Sequence, residues 1–296
     1  MQVIKLVLAD MDSTLVPNSV AAASERTLAA IDRLRASGIG FGCATGRAIA
    51  NTISQFRHHP EYVTEGIYGA GKQVLVHGEI IRDDPFPPDL MARIAAEIAR
   101  LDYAILVPFI YGADPEHPFE SVPCSIGENP EKIQRALDYY NVPGRNGNLW
   151  DNWQYFDGMP SVDIYSVGVL STCGQEEVPR IIEFFEQRFP ETNVKNAAMG
   201  WCDVNVGKTT KATPFPEYLA AFGCTLDEIV FLADSENDLE LMKLIPNSIC
   251  VANAMLEAAA HAYAMIPADV DDGPAQLMEA LVENGGDLDA ALNSIA

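Results

Sequence analysis

Two aspartates, Asp10 and Asp12, stand two residues apart directly after a short apolar segment. Side chains two residues apart in an extended segment can point the same way, so both carboxylates can face one small region. Two anions held close together repel unless a cation or a shared proton compensates them, and Mg²⁺ prefers carboxylate oxygens. The pair therefore indicates a Mg²⁺ site. An ordinary turn at Asp12 and Ser13 is the structural alternative.

A second acidic group follows another apolar segment late in the chain. Residues 229–233 are apolar and end at Asp234, and Asn237 and Asp238 open the helix predicted next. Asp234 can complete the oxygen shell of a cation shared with Asp10, and Asp238 can support that shell or orient a basic partner. An ordinary N-terminal helix cap is the alternative, because Asp and Ser are favoured there.

Groups suited to a phosphate precede two further predicted elements. Thr45 ends another apolar segment, where its hydroxyl can donate to a phosphate oxygen and Gly46 permits close approach of backbone N–H groups. Lys208 and Lys211 precede the second acidic group, where an ammonium would offset clustered carboxylates and a bound phosphate. A solvated lysine is the ordinary alternative for either residue.

Alternating strands and helices predict how these groups are brought together. Residues 3–9 and 39–44 are predicted as strands buried on both faces, with an amphipathic helix between them that ends at Gly38. The same alternation returns over residues 213–251. This βαβ pattern predicts an α/β fold whose parallel strands bind ligands at their carboxyl ends.

The middle of the chain has a different pattern. It is rich in proline between residues 85 and 130, residues 162–169 alternate like a strand with one buried face, and a helix is predicted over 176–189. We therefore expect a core domain formed by residues 1–83 and 196–296, interrupted by an inserted α+β domain over residues 84–195.

Charge and composition limit the classes of function. The 296 residues are 48% hydrophobic and 21% charged, which is typical of a globular protein and long enough for a core plus an insertion. The formal net charge is −23, and no Lys/Arg run occurs. Nucleic acid and anionic membrane are therefore not expected as partners.

The N-terminus and the cysteines bear on the cellular compartment of the protein. Residues 1–9 lack a basic leader and a long apolar region, and no stretch of about 18 apolar residues occurs. The six cysteines contain no C-x-x-C pair, so reduced thiols are the default. A cytoplasmic protein is expected.

Four short patterns occur in the order of a known set of motifs. Asp-x-Asp-x-Thr starts at Asp10, Ala-Thr-Gly-Arg starts at Ala44, Lys211 precedes a predicted helix, and Asp-x-x-Asn-Asp starts at Asp234. Together they resemble motifs one to four of the haloacid dehalogenase (HAD) superfamily. The insertion lies between motifs two and three, which resembles the C2-capped Cof-type sugar phosphatases.

The resemblance implies a Rossmann-like, doubly wound parallel sheet with an inserted α+β cap of the C2 type. It also implies a Mg²⁺-dependent phosphatase that hydrolyses a small phosphomonoester, expected to be a sugar phosphate, through an aspartyl-phosphate. The alternatives are a phosphotransferase or phosphomutase with the same intermediate, and a non-catalytic ligand-binding protein on this fold. The expected partner is a small phosphorylated metabolite, and the expected state is a monomer or homodimer.

Site roles follow from the resemblance, residue by residue. Asp10 is implied as the nucleophile, and Asp12 as the general acid and then the base, with its backbone carbonyl on the metal. Lys211 is implied as the motif-three lysine, with Lys208 as the second choice. The implied metal ligands are Asp10, Asp12, Asp234 and Asp238, and the implied phosphate-binding residues are Thr45, Gly46, Lys211 and Asn237.

Three positions depart from the superfamily pattern. Ser13 stands where glycine is usual, and Ala233 adds a methyl group where glycine usually precedes the metal ligand Asp234, which can shift that ligand. Residues 70–72, Ala-Gly-Lys, stand where Asn-Gly is frequent, so a backbone or phosphate contact there can differ.

The inserted domain is expected to cover the site and determine substrate choice. A polar and aromatic group within it would suit a sugar by hydrogen bonding and ring stacking. A surface loop anchored by tryptophans fits the same residues. The group consists of Arg145, Asn146, Asn148, Trp150 and Trp153.

Overall fold

The computed structural model describes residues 3–111, 121–140, 153–196 and 200–295. The strands are β1 (Leu6–Ala9), β2 (Gly40–Ala44), β3 (Gly66–Tyr68), β4 (Gln73–Val76), β5 (Glu79–Asp83), β6 (Ala104–Tyr111), β7 (Ser121–Ile126), β8 (Gln154–Phe156), β9 (Ser166–Ser171), β10 (Thr192–Asn196), β11 (Trp201–Val206), β12 (Ile229–Ala233), β13 (Asn247–Val251) and β14 (Ala264–Ile266). The helices are α1 (Glu25–Ala36), α2 (Ile49–Gln55), α3 (Pro88–Ile98), α4 (Pro130–Tyr140), α5 (Val178–Arg188), α6 (Phe215–Phe222), α7 (Leu239–Met242), α8 (Leu256–Ala259), α9 (Gly273–Glu283) and α10 (Leu288–Ile295). None of these helices is both long and apolar enough to cross a membrane.

The chain divides into two compact units, and the first comprises Met1–Asp83 with Thr210–Ala296. Its sheet has the strand order β14-β13-β12-β1-β2-β3-β4-β5. The strands from β14 to β3 run parallel, and β4 and β5 extend the sheet as antiparallel strands. This topology confirms the predicted α/β fold with a parallel core.

Helices pack on this sheet so that its central strands are buried. Leu6 and Leu8 of β1 lie in one apolar cluster with Phe215 and Tyr218 of α6. The buried side chains of α1 lie outside that cluster, and α1 packs against β2 and α9. Burial on both faces explains why β1 and β12 have continuous apolar sequences rather than alternating ones.

The second unit, Asp84–Thr209, is built on a mostly antiparallel sheet. Its strand order is β10-β11-β9-β6-β7-β8, and only the β7–β8 pair is parallel. Val169 of β9 packs in one apolar cluster with side chains of α3 and α5, whereas Leu170 packs in another with side chains of α4. The second unit therefore combines helices with a mostly antiparallel sheet, and it lies in sequence between the two segments of the first unit.

Two details of the insertion differ from the sequence prediction. The strand predicted over residues 162–169 starts later, at Ser166, and the prediction that only one of its faces is buried is wrong, because helices cover both faces. The boundary predicted between residues 195 and 196 lies between residues 209 and 210 in the structure. The shift occurs because β11 pairs with both β9 and β10 and so belongs to the second sheet.

Candidate active site

Three parallel strands of the first unit end side by side in polar residues. Ala9 of β1 is in register with Leu232 of β12, and the Asp10 N–H donates to the Leu232 carbonyl at 2.9 Å. Asp234 follows β12 directly, and Thr45 follows β2, which pairs with β1 on its other side. Parallel register thus places these residues at the carboxyl edge of the sheet, where α/β folds bind ligands.

Three carboxylates and one lysine form a buried group that we call the acidic cluster: Asp10, Asp234, Asp238 and Lys211. Lys211 Nζ lies 2.5 Å from Asp10 Oδ1 and 2.7 Å from Asp238 Oδ1. The Thr14 hydroxyl donates to Asp234 Oδ1 at 3.1 Å. Even the most exposed member, Asp234, is only 8% exposed. Lys211 is remote from Asp10 in sequence, but its side chain contacts the Asp10 carboxylate directly.

The shifted pKa values in the acidic cluster all have the same direction. Burial raises the pKa of Asp10 well above its usual range, and Lys211 offsets this only in part. Burial also raises the pKa of Asp234, and the nearby Asp238 carboxylate adds to that shift. Burial lowers the pKa of Lys211, but Asp10 and Asp238 outweigh it, so the net direction is upward. For Asp10 and Asp234 burial is the main cause and neighbouring carboxylates add to it, whereas for Lys211 the carboxylates overcome the effect of burial.

The acidic cluster fits a divalent cation by its donors and their spacing. One carboxylate oxygen each from Asp10, Asp234 and Asp238 lies within 4.8 Å of the other two. Hard cations such as Mg²⁺ bind such oxygen groups. The Asp12 side chain is not part of this group.

The phosphate-binding candidates Thr45 and Gly46 lie on a loop that is held by hydrogen bonds from the backbone of residues 69 and 70. The Ala70 N–H donates to the Thr45 carbonyl at 3.0 Å, and the Gly69 N–H donates to the Arg47 carbonyl at 2.7 Å. Ala70 has a φ of 55°, the left-handed conformation that costs an L-residue about 1–2 kcal/mol. Residues 70–72, where Asn-Gly is frequent in the superfamily, therefore still supply a backbone contact to the loop.

The Thr45 side chain itself is oriented for donation. Its Oγ1 accepts a hydrogen bond from the Arg47 N–H at 3.1 Å, so the hydroxyl hydrogen is left to donate to another acceptor. A Cβ atom added at Gly46 would meet no atom within 4 Å. The loop therefore combines a hydroxyl donor, on Thr45, with open space beside Gly46.

Asp12 makes contacts that motif spacing did not predict. Arg47 holds its carboxylate with two bonds, Nε to Oδ2 at 2.7 Å and Nη2 to Oδ1 at 2.8 Å. Gln55 Nε2 donates to Oδ1 at 3.0 Å. Arg47 stands in the Ala-Thr-Gly-Arg pattern, and its place there was a usable signal. Gln55, the last residue of α2, belongs to no motif and gives no signal in the sequence.

The remaining predicted residues are placed as follows. Asn237 Oδ1 lies 3.4 Å from Lys211 Nζ, beside the acidic cluster. Lys208 is exposed on a turn of the second unit, so Lys211 is the lysine that contacts Asp10. In the inserted domain, Trp153 Nε1 donates to Ser125 Oγ at 3.2 Å, and residues 145–150 lie outside the described residues.

Two departures from the superfamily pattern have clear structural outcomes. Ser13 has a φ of 60°, which explains why glycine is usual there, and its carbonyl accepts from Asn253 Nδ2 at 2.8 Å. Ala233 is fully buried in the apolar cluster beneath the sheet edge. Asp234 still groups with Asp10 and Asp238, so the added methyl group is accommodated.

Comparison with protein families agrees with this geometry. The family described as haloacid dehalogenase-like hydrolases matches residues 7–278. The chain therefore belongs to the haloacid dehalogenase-like hydrolase family, as its four motifs indicated. A comparison with curated proteins gives no match.

Solved structures share the fold at low sequence identity. A protein from Thermotoga maritima is 17% identical with a TM-score of 0.71, covering 93% of this chain and 97% of that one. A HAD-superfamily phosphatase from Bacteroides thetaiotaomicron is 18% identical with a TM-score of 0.67, covering 96% of each chain. A subclass IIB sugar phosphatase is 18% identical with a TM-score of 0.63, covering 93% of this chain and 98% of that one.

Proposed function

We propose that this protein is a Mg²⁺-dependent phosphatase that hydrolyses a small phosphomonoester through an aspartyl-phosphate, with sugar phosphates as the first substrates to test. The observation that carries the proposal is the acidic cluster at the end of β1, with Asp10 in contact with Lys211 and Thr45 at the adjacent strand end. The sugar phosphatase among the structural relatives supports the choice of sugar phosphates.

The proposal assigns the following chemistry to these residues. Asp10 attacks phosphorus and forms an aspartyl-phosphate, which divides the hydrolysis into two easier steps. Asp12 gives a proton to the leaving alcohol and later takes one from the attacking water. Lys211 and Thr45 bind the phosphoryl oxygens, whose charge must be neutralised during transfer.

A divalent cation would be held by Asp10, Asp234 and Asp238. When bound, it supplies electrostatic stabilisation to the phosphoryl oxygens and offsets the excess of carboxylates in the acidic cluster. The net charge of −23 makes this neutralisation more important, because the substrate is itself an anion.

The test is a screen of the purified protein against phosphorylated sugars, nucleotides and cofactors, with MgCl₂ and with EDTA. The proposal predicts release of inorganic phosphate from at least one ester with Mg²⁺, none with EDTA, and none in Asp10→Asn. Transfer of the phosphoryl group to an added sugar instead of water would indicate a phosphotransferase. Unchanged turnover in Asp10→Asn would contradict the proposal.

A further inference from the structure

Gln55 lies beside the proposed catalytic groups, and packing alone does not explain its burial. It is 4% exposed, although glutamine is mostly a surface residue, and its Nε2 donates to Asp12 Oδ1 at 3.0 Å. Its Oε1 is buried without a hydrogen-bond partner among the described residues. Methionine would fill a similar volume without burying an unpaired acceptor, so packing alone does not account for the amide.

The contacts of Asp12 show what the amide does. A carboxylate offers about four acceptor positions, two on each oxygen. Oδ1 accepts from both Arg47 Nη2 and Gln55 Nε2, whereas within the described part of the chain Oδ2 accepts from Arg47 Nε alone. With Gln55 in place, both positions on Oδ1 are used and one position on Oδ2 is left. Arg47 by itself would leave one position on each oxygen and would not distinguish them.

The backbone beneath Gln55 is tied to the chain that follows Asp12. The Gln55 carbonyl accepts from the Ala23 N–H at 2.9 Å, and Arg57 Nε donates to the Ala23 carbonyl at 3.0 Å. The end of α2 and the segment after β1 are thus held together at two points. A side chain on such a support can fix the orientation of its partner.

We propose that Gln55 is a positioning residue that fixes the orientation of the Asp12 carboxylate, the proposed general acid. This inference rests on the proposed function. In the step concerned, the bond from Asp10 to phosphorus forms, the bond from phosphorus to the ester oxygen breaks, and a proton from Asp12 passes to that oxygen, which leaves as the alcohol. Gln55 touches neither the substrate nor the reacting atoms in this assignment.

Dependence on the leaving group tests this role. Esters of basic alcohols need the proton, whereas 4-nitrophenolate leaves with little help. We therefore compare kcat/KM, which reports formation of the aspartyl-phosphate, over substituted phenyl phosphates from 4-nitrophenyl to 4-methylphenyl phosphate. In Gln55→Met we expect kcat/KM to stay within about 3-fold of wild type for the first ester and to fall about 10- to 100-fold for the last.

A matched control is available in Gln73. This buried glutamine of the same unit also donates to a carboxylate, with Nε2 3.0 Å from Asp83 Oδ1, and makes no contact with Asp12. Gln73→Met should change kcat/KM equally for all the esters. As a second test variant, Gln55→Asn keeps the amide but retracts it by one methylene, and should show the same leaving-group dependence as Gln55→Met.

Each outcome decides something different. A loss in both Gln55 variants that grows with the basicity of the leaving group supports the positioning role. An equal loss across the series, or no loss, overturns that role while leaving the proposed function intact. Absence of turnover of every ester by the wild-type protein with Mg²⁺ overturns the proposed function, and this inference with it.

Discussion

The two units differ in the charge balance of their buried side chains. In the second unit, Lys132 Nζ forms an ion pair with Glu128 Oε2 at 2.8 Å and donates to the Ile98 carbonyl at 2.9 Å. These side chains are 5% and 0% exposed, and the pair has one charge of each sign. In the first unit, the acidic cluster sets three buried carboxylates against the single ammonium group of Lys211.

The difference distinguishes a structural ion pair from a group of carboxylates that could hold a cation. Burial raises the pKa of Glu128 and lowers the pKa of Lys132, so both shifts only oppose the charging of the pair. In the acidic cluster, the pKa values of Asp10, Asp234 and Lys211 all move upward. A balanced pair requires no further charge, whereas an excess of carboxylates favours binding of a cation.

The largest expected effect is the loss of activity in Asp10→Asn. The amide is not a nucleophile, so turnover of p-nitrophenyl phosphate should fall by about 10⁴-fold or more.

The thermal stability of the metal-free protein should instead increase in Asp10→Asn. Because burial raises the pKa of Asp10, a neutral isostere at this position should increase the metal-free melting temperature at neutral pH. A lower melting temperature would contradict the charge imbalance that we describe.

The next largest effect should follow from breaking the balanced pair. Glu128→Gln or Lys132→Met leaves one buried charge without its partner, which typically costs about 3–5 kcal/mol. The free energy of unfolding in urea measures this cost. The double variant Glu128→Gln with Lys132→Met should recover much of the loss, because no unpaired charge remains. A double variant as unstable as the single variants would show that the pair is not a balanced unit.

A smaller effect is expected from removing the donor on the phosphate loop. Thr45→Val keeps the shape of the side chain but deletes the hydroxyl, and a hydrogen bond to a charged group contributes about 1.5–3 kcal/mol. We expect kcat/KM to fall roughly 10- to 100-fold. Thr45→Ser restores the hydroxyl and should retain most of the activity. Equal losses in the two variants would assign Thr45 to packing only.

The smallest effect concerns pH and metal together. The raised pKa values of Asp10 and Asp234 mean that the metal-free fold gains stability from protonation below about pH 4 and loses it as the pH rises through the folded-state values. Protons and Mg²⁺ compete for the same oxygens. The increase in melting temperature caused by MgCl₂ should therefore be near zero at acidic pH and greatest at pH 8. An increase that is independent of pH would exclude these carboxylates as the ligands.

Much of the first unit could be predicted because its signals are local. Continuous apolar strands that end in Asp10, Thr45 and Asp234 specify both the parallel sheet and the edge where these residues meet. The contact between Asp10 and Lys211 spans 201 positions and could be anticipated only from the order of the motifs. The contact of Gln55 with Asp12 could not be predicted from the sequence, because one amide at the end of a short helix has no periodicity or spacing that marks it.

The second unit was less predictable for a physical reason. β9 is buried on both faces within an antiparallel sheet, so the alternation that usually identifies such strands is weak. The end of the unit depends on pairing of β11 with β9 and β10, and such a register is decided by long-range contacts. Neither the burial of β9 on both faces nor the pairing of β11 can be predicted from the local sequence.

The most direct test of the central claim is a calorimetric titration of MgCl₂ into the metal-free protein. We expect one Mg²⁺ bound per chain, abolished in Asp234→Asn and unchanged in the Glu128→Gln/Lys132→Met double variant. Inorganic phosphate should then bind only when Mg²⁺ is present. Magnesium binding that survives Asp234→Asn, or phosphate binding that needs no metal, would contradict the account of the acidic cluster as a cation-dependent phosphoryl-transfer site.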